Sequence, residues 1–461
     1  MTLIKSISGI RGTIGGMPGD NLTPLDVVKY AASFCAVHQA QLNKKDITIV
    51  IGRDARISGE MIATLAAQTL IGMGAKVIDL GLSTTPTVEM AVTHYQADAG
   101  IILTASHNPA QWNALKLLNS QGEFISAALG QQVLEWAEKG VDFAEVNQLG
   151  SIQKETDWSY HLDAILKHPL VKKTTIANKH FKVVVDGINS SGSIFIPELL
   201  RALGVEHITV LNAEPNGRFA HNPEPLAEHL VETCQVIREQ GADLGIVVDP
   251  DVDRLAFIDE QGVLFGEEYT LVAIADYVLK YNKGNTVSNL SSTRALRDVT
   301  VKHGGEYHAS AVGEVNVVEK MKAVNAVIGG EGNGGIIVPE LHYGRDALIG
   351  IALFLSHCAE MNLPLSELKK TYPAYYMGKK KVDLDPSKPS EKILAALTAK
   401  FEHENINTID GLKIDFPDYW VHLRRSNTEP IIRIYTEAGT QEMADAKAEQ
   451  WIQEINDISI A

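Results

Sequence analysis

Short runs rich in β-branched residues punctuate the whole chain: DITIVIG at 46–52, KVIDLG at 76–81, AGIILTA at 99–105, KVVVDG at 182–187, HITVLN at 207–212, LGIVVD at 244–249 and NAVIGG at 325–330. Between them lie stretches with apolar residues at helical spacing, as at 24–36, 59–73 and 226–240. Strands that alternate with amphipathic helices are joined by crossovers, which predicts layered α/β domains with largely parallel sheets. At 461 residues the chain exceeds what one core sustains, and roughly 150 residues per domain gives three domains with room for a small fourth. Breaks fall near Thr156, near Asp259 and between Tyr372 and Pro389, where VDLDPSKPSEK is rich in proline and charge. The predicted domains are therefore 1–155, 156–258, 259–373 and 374–461. The last starts strand-like and ends in the helical pattern EMADAKAEQWIQEI, an α+β arrangement.

Charge narrows the partners. With 41 Lys+Arg against 57 Asp+Glu the net charge is −16, which argues against nucleic acid or an anionic membrane, so an anionic substrate needs a local positive cluster. Cys35, Cys234 and Cys358 lie far apart with no C-x-x-C pair, as expected of buried thiols in a reducing compartment. The N-terminal MTLIKSISGIRG has no apolar run, and the apolar stretch around 347–354 is far short of the roughly 18 residues that span a membrane. The expected location is the cytoplasm.

One internal similarity ties strands to loops. ADAGIIL at 97–103 leads into Thr104-Ala105-Ser106, and ADLGIVV at 242–248 leads into Asp249-Pro250-Asp251. A weaker third version, 325–328, leads into Gly329-Gly330-Glu331. Ligands in open α/β sheets bind at the carboxyl ends of strands, so each of these loops is a candidate site.

Each loop carries its own chemistry. In TASHNP at 104–109, Ser106 sits at a strand end beside His107, and a serine that attacks phosphorus needs a proton acceptor or a positive field, which His107 or Lys116 supplies. The rival reading of this segment alone is a turn in which Ser or Asn caps a helix. DPDVDR at 249–254 places Asp249, Asp251 and Asp253 at alternating positions, and three adjacent carboxylates call for a hard cation, magnesium or calcium. An EF-hand is excluded, because Arg254 stands where that loop needs glycine and LAFI at 255–258 reads as a strand. GGEGNGG at 329–335 concentrates glycine around Glu331 and Asn333; a lone carboxylate accepts hydrogen bonds from neighbouring hydroxyls, which suits a sugar better than a phosphate. In RRSNTEPIIR at 424–433, Arg424, Arg425 and Arg433 with Ser426, Asn427 and Thr428 make a phosphate clamp of charge and directed donors. Arg11 in SGIRGT and Arg53 and Arg56 in GRDAR lie on further loops, where a structural ion pair is the plain alternative.

Taken in this order, the segments resemble the α-D-phosphohexomutase family, which includes phosphoglucomutase, phosphomannomutase and phosphoglucosamine mutase. The resemblance runs from Gly9 to Arg433, and GIRGTIG, IGRDARISG and HNPEPLAEHL fit it as well. It implies four domains around a central cleft, three of related α/β mixed-sheet topology and a C-terminal α+β domain, with one loop from each. It also implies that Ser106 is the phosphorylated nucleophile, and that Asp249, Asp251 and Asp253, with the phosphate on Ser106, hold Mg2+. Glu331 and Asn333 would bind sugar hydroxyls, and Arg424, Ser426, Asn427, Thr428 and Arg433 the substrate phosphate. Arg11, His107, Lys116 and Arg254 would serve the transferring phosphoryl group or its proton. Two departures stand out: Pro250 and Val252 where glycine or alanine is more usual, and Asn333 and Gly335 where many members show serine and histidine.

The implied reaction moves a phosphoryl group from Ser106 to a hexose monophosphate, giving a hexose 1,6-bisphosphate that turns over and returns its other phosphate to Ser106. GGEGNGG with RRSNTEPIIR is similar to the archaeal-type branch of phosphoglucosamine mutases, which implies conversion of glucosamine 6-phosphate to glucosamine 1-phosphate, with phosphoglucomutase/phosphomannomutase activity as the alternative. A zinc phosphatase is disfavoured because none of the 15 histidines pairs with the Asp triplet at zinc-ligand spacing. A catalytically silent sugar-phosphate binding protein would be expected to have lost the serine or an aspartate, and all are present.

Overall fold

In the computed structural model, residues 2–6, 9–384, 389–425 and 431–458 are described. The chain forms two compact units, Met1–Thr270 with Asn333–Leu368, and Leu271–Gly332 with Lys369–Ala461.

The first unit contains two mixed sheets. Its larger sheet runs Ile4–Ser6, Gly9–Thr13, Trp112–Leu118, Ala99–Leu103, Thr48–Arg53, Lys76–Leu82, Ser151–Lys154 in spatial order. The central strands are parallel, while Trp112–Leu118 turns back antiparallel to Ala99–Leu103. The second sheet runs Leu255–Asp259, Leu244–Val248, Lys182–Asp186, His207–Leu211, with only the hairpin partner Leu255–Asp259 antiparallel. Every β-branched run read from the sequence is a strand.

The repeat in the sequence has a structural cause. Asp98 and Asp243 each precede a central strand, and each carboxylate accepts the backbone N–H that opens the neighbouring strand: Thr48 N to Asp98 Oδ2 and Lys182 N to Asp243 Oδ2, both at 2.7 Å. Each strand then needs glycine where a helix crosses it. A Cβ on Gly100 would meet Val92 Cγ2 at 2.7 Å, and one on Gly245 would meet Ile237 Cδ1 at 2.4 Å. Register and close helix packing are thus set by the same two residues in both copies, and both strands deliver their polar loops at the carboxyl end.

Helix limits follow their caps. Pro24–Leu42 starts in a capping box of Thr23 and Asp26 and runs past the predicted 36 until Asn43 adopts a left-handed conformation. The third amphipathic stretch begins as a helix only at Val231, because Ala227–His229 forms a 3₁₀ turn. Ala347–Met361 is buried on nearly every side, including Leu348, Leu353 and Phe354, which explains its unbroken apolar sequence; Phe354 stacks on Phe257 with ring centroids 3.7 Å apart.

In the second unit, Tyr307–Ser310, Asn285–Asn289 and Ala326–Glu331 run parallel in that order. The C-terminal domain is an antiparallel sheet ordered Tyr376–Asp383, Ile431–Ala438, Tyr419–Arg425, Leu412–Asp415, Asn405–Asn407. Helices Ser390–Lys400 and Gln441–Asp457 supply Ile393, Leu397, Ala448 and Trp451 to its core. Three α/β domains of mixed sheets and a C-terminal α+β domain are the fold class expected from the sequence.

Candidate active site

Ser106 follows the fully buried strand Ala99–Leu103 and lies in the left-handed region at φ +49°, a conformation unusual for any residue but glycine, Asn or Asp. Arg56 holds it there. This side chain is completely buried, pairs with Asp54 at 3.1 Å, and donates to the carbonyls of Ser106, Asn108 (2.6 Å), Pro109 (2.8 Å) and Trp112 (3.0 Å). Thr104 closes the loop from the other side, donating to Asp54 at 2.6 Å and accepting from Ser106 N at 2.9 Å. Arg56 is thus a buried ion pair, and it also fixes the shape of the serine loop.

The Asp loop meets this serine within the same unit. Ser106 Oγ donates to Asp249 Oδ2 at 2.6 Å, and Asp249 Oδ1 accepts from Asp253 N and Arg254 N. Asp251 Oδ2 accepts from Thr85 Oγ1 at 2.6 Å and Lys116 Nζ at 2.7 Å. Asp253 Oδ2 accepts from Lys116 at 3.2 Å and Arg345 Nη2 at 2.8 Å. Both oxygens of Asp249 are therefore held by protein donors, while Asp251 and Asp253 each have one held oxygen. The second oxygens of Asp251 and Asp253, both Oδ1, are buried without a hydrogen-bond partner.

Such orphaned oxygens are the test of a metal site, because burying an unpaired anionic oxygen is costly unless a cation satisfies it. The ligand atoms of Asp249, Asp251 and Asp253 lie within 4.8 Å of one another. Burial and the charges of Asp251 and Asp253 hold Asp249 well above the usual carboxylate range, which a divalent cation would reverse. Against the cost of burial, Lys116 and Thr85 hold Asp251 below that range. Lys116, half-buried, is kept protonated by Asp251 and Asp253 against the cost of burial. The donor set is all oxygen, suited to a hard ion such as magnesium.

His107 Nδ1 lies 3.4 Å from Ser106 Oγ, and its Nε2 faces Arg254 Nη2 at 3.5 Å. Burial and the nearby arginines push its pKa down to about 2, so the ring is neutral. A guanidinium only donates, which leaves the proton on Nδ1, directed at the serine. Arg254 also pairs with Glu224 at 3.1 Å, and Arg11 donates to Asn108 Oδ1 at 3.1 Å. Val252, one of the departures, is fully buried at φ +63°, strained for a β-branched residue. Ser106 and Val252 are thus left-handed residues in two loops that meet.

Asn333 and Gly335 belong to this unit too: Gly335 N donates to Asn333 Oδ1 at 3.3 Å, and Leu255 N donates to Gly334 O. A second cluster, His161, His342 and Asp346, is explained by its own hydrogen bonds. Asp346 Oδ1 caps the helix Ala347–Met361, its Oδ2 lies 2.9 Å from His161 Nε2, and His161 Nδ1 lies 3.0 Å from Thr87 Oγ1.

Glu331 lies in the second unit, buried, and its Oε1 accepts from Asn289 Nδ2 at 2.9 Å and Gly313 N at 3.1 Å. Arg424 and Arg433 face each other across neighbouring strands. Arg424 Nε is held by Asp410 at 2.9 Å, whereas Arg433 is exposed and Arg425 pairs with Glu391. Ser426, Asn427 and Thr428 lie outside the described residues. Arg345 and Thr85 are missing from the sequence-based set. Neither sits in a recognisable motif, and only the fold brings them to the aspartates.

The phosphoglucomutase/phosphomannomutase domain models match in series: alpha/beta/alpha domain I at 3–142, domain II at 159–262, domain III at 266–376 and the C-terminal domain at 360–454. A Thermococcus kodakarensis protein named phosphoglucomutase/phosphomannomutase is 35% identical over 94% of this chain and 95% of its own. A Pyrococcus horikoshii protein named "probable phosphoglucosamine mutase" is 35% identical over 88% of this chain and 90% of its own. Among solved structures, a phosphoglucomutase/phosphomannomutase family protein of Burkholderia thailandensis superposes with a TM-score of 0.83 at 25% identity, covering 98% of this chain and 97% of that one. With all four domains matched in order over nearly its full length, the chain belongs to the phosphoglucomutase/phosphomannomutase family of phosphohexomutases.

Proposed function

We propose that this enzyme interconverts hexose 6-phosphate and hexose 1-phosphate through phospho-Ser106, with glucosamine phosphate as the preferred substrate. The observation that carries the chemistry is the 2.6 Å hydrogen bond from Ser106 Oγ to Asp249, within a buried triad whose free oxygens call for a cation.

In the forward step the P–O bond to Ser106 breaks as a new one forms to the free sugar hydroxyl, and the proton of that hydroxyl ends on Ser106 Oγ, which leaves as the free serine. In the return step Ser106 Oγ attacks the other phosphate of the bisphosphate as its P–O bond to the sugar breaks; Asp249 Oδ2, the hydrogen-bond acceptor of Ser106 Oγ, would take the serine proton, which ends on the freed sugar hydroxyl. His107 donates toward the serine oxygen rather than accepting from it, and Lys116 and Arg254 offset the charge on the transferring group. Asp249, Asp251 and Asp253 would hold magnesium, which when bound supplies divalent charge against the phosphoryl oxygens. Glu331 and Asn333 would read sugar hydroxyls, while Arg424 and Arg433, with Ser426, Asn427 and Thr428, would hold the phosphate that is not transferring. We propose 1–155, 156–258, 259–373 and 374–461 as its domains.

The choice of sugar rests on the pairing of GGEGNGG with RRSNTEPIIR and on the name of the Pyrococcus relative. Free buried thiols at Cys35, Cys234 and Cys358 suit a reducing cytoplasm, and among the described residues no helix is long and apolar enough to cross a membrane. The test is kcat/KM for glucosamine, glucose and mannose phosphates side by side, since discrimination is a difference in transition-state binding. The glucosamine compound is expected to lead; a higher value for glucose or mannose phosphate reassigns the substrate.

A further inference from the structure

Arg345 is an arginine ten residues beyond the glycine loop, next to the helix cap Asp346, in a stretch that the sequence motifs do not single out. Its Nη2 donates to Asp253 Oδ2 at 2.8 Å, so with Lys116 it grips the oxygen that points away from the unpartnered Oδ1. To reach that aspartate its stem passes over Gly335. A Cβ on Gly335 would lie 2.3 Å from Arg345 Cδ and 3.1 Å from Cγ, closer than real Cβ contacts allow. Position 335 is where many members of the family carry histidine. The position of Arg345 is itself fixed by its neighbour, since Asp346 caps the following helix and is held by His161 at 2.9 Å.

We infer that Gly335 and Arg345 form one functional pair: glycine stands in the loop so that Arg345 can enter, and the guanidinium supplies the metal loop with a fixed positive charge that no side chain at 335 provides. Arg345 is a positioning residue that acts through Asp253. It keeps that carboxylate from turning and balances the negative charge of a centre that must also take a phosphoryl group. This rests on the mutase reading above and adds to it a reason for the glycine.

The charge gives the pair a signature that mere structural support lacks. Removing a cation from beside three carboxylates raises their attraction for a divalent ion while leaving the phosphoryl group less compensated. Arg345→Met is therefore expected to bind Mn2+, followed by electron paramagnetic resonance on the intact protein, at least threefold more tightly than wild type. Its kcat is expected to fall at least tenfold, with KM changed less than threefold. Arg345→Lys, which keeps the charge, restores wild-type Mn2+ affinity and part of kcat. The pairing is read from a double-mutant cycle: Gly335→His alone loses at least a hundredfold in kcat/KM, and Gly335→His with Arg345→Ala recovers at least tenfold over that single variant, whereas independent sites would multiply their losses.

Wild-type kcat and Mn2+ affinity in Arg345→Met overturn the inference, as do weaker Mn2+ binding in that variant or multiplicative losses in the cycle. Thermal melts accompany each variant. If Arg345→Met or Arg345→Ala does not fold, Arg345→Gln and Arg345→Lys carry the same comparison, and equal Mn2+ affinity in those two overturns the charge role. A wild-type protein active on hexose phosphate beside an unaffected Arg345→Met leaves the mutase reading standing without this pair. A wild type inert on every hexose phosphate overturns both.

Discussion

Arg56 shows how one side chain converts a strained loop into a stable one. Its guanidinium serves four carbonyls of the serine loop and the buried carboxylate of Asp54, so truncation strands all of these acceptors together with an unpaired charge. Arg56→Ala is expected to lose about 3–5 kcal/mol in urea denaturation and nearly all phosphoryl transfer. A variant as stable and as active as wild type would show that the loop is held by something else. The aspartates make the complementary prediction. Magnesium at about 100 times its Kd should stabilise the wild-type protein by roughly 2.7 kcal/mol, and Asp249→Asn should abolish most of that gain. No gain in wild type, or an equal gain in the variant, would remove the metal from the account. Ser106 and the three aspartates were legible in the sequence because each sits in a dense local motif. Arg345 was not, because it meets Asp253 only through the fold, 92 residues along the chain.

Among the elements, strand Leu412–Asp415 carries a buried cation into the C-terminal sheet. Lys413 Nζ donates to Leu290 O at 2.8 Å and lies 4.1 Å from the centre of the Trp420 ring. Burial pushes its pKa down from 10.5 to about 8. Between those values the unfolded chain binds the proton and the folded chain does not, so stability rises with pH across the window, by up to about 3 kcal/mol. Lys413→Met should remove that slope. Unfolding free energies of wild type and variant, followed from pH 7 to 10.5, should diverge from parallel lines in favour of wild type; parallel curves would place the lysine in a less buried setting. This lysine was hidden in the sequence, where LKID reads as an ordinary half-polar strand. The strands themselves were legible because β-branched runs bounded by Gly and Asp leave little choice. Helix starts were less so, as the 3₁₀ turn at Ala227–His229 shows: Pro225 precedes a pattern that is amphipathic on paper, but the α-helix starts only after that turn, at Val231.

For the molecule as a whole, the repeated strand entry explains why chemistry recurs at the ends of similar strands. Asp98 and Asp243 fix the register, Gly100 and Gly245 admit the crossing helix, and the loop that follows is left free to vary, serine in one copy and aspartates in the other. The hydrophobic periodicity carried the α/β class, and the motif order carried the family. What it did not carry is how the glycine loop divides: Glu331 is hydrogen-bonded to Asn289, while Asn333 and Gly335 fall in the compact unit that holds the aspartates. The central claim remains covalent, and it is tested most directly by peptide mass spectrometry of the intact enzyme after incubation with glucose 1,6-bisphosphate. Phosphate is predicted on the peptide containing Ser106, lost when excess hexose monophosphate is added and absent in Ser106→Ala. A Ser106 peptide that never carries phosphate, or a phosphate that persists elsewhere in Ser106→Ala with turnover intact, would contradict the account.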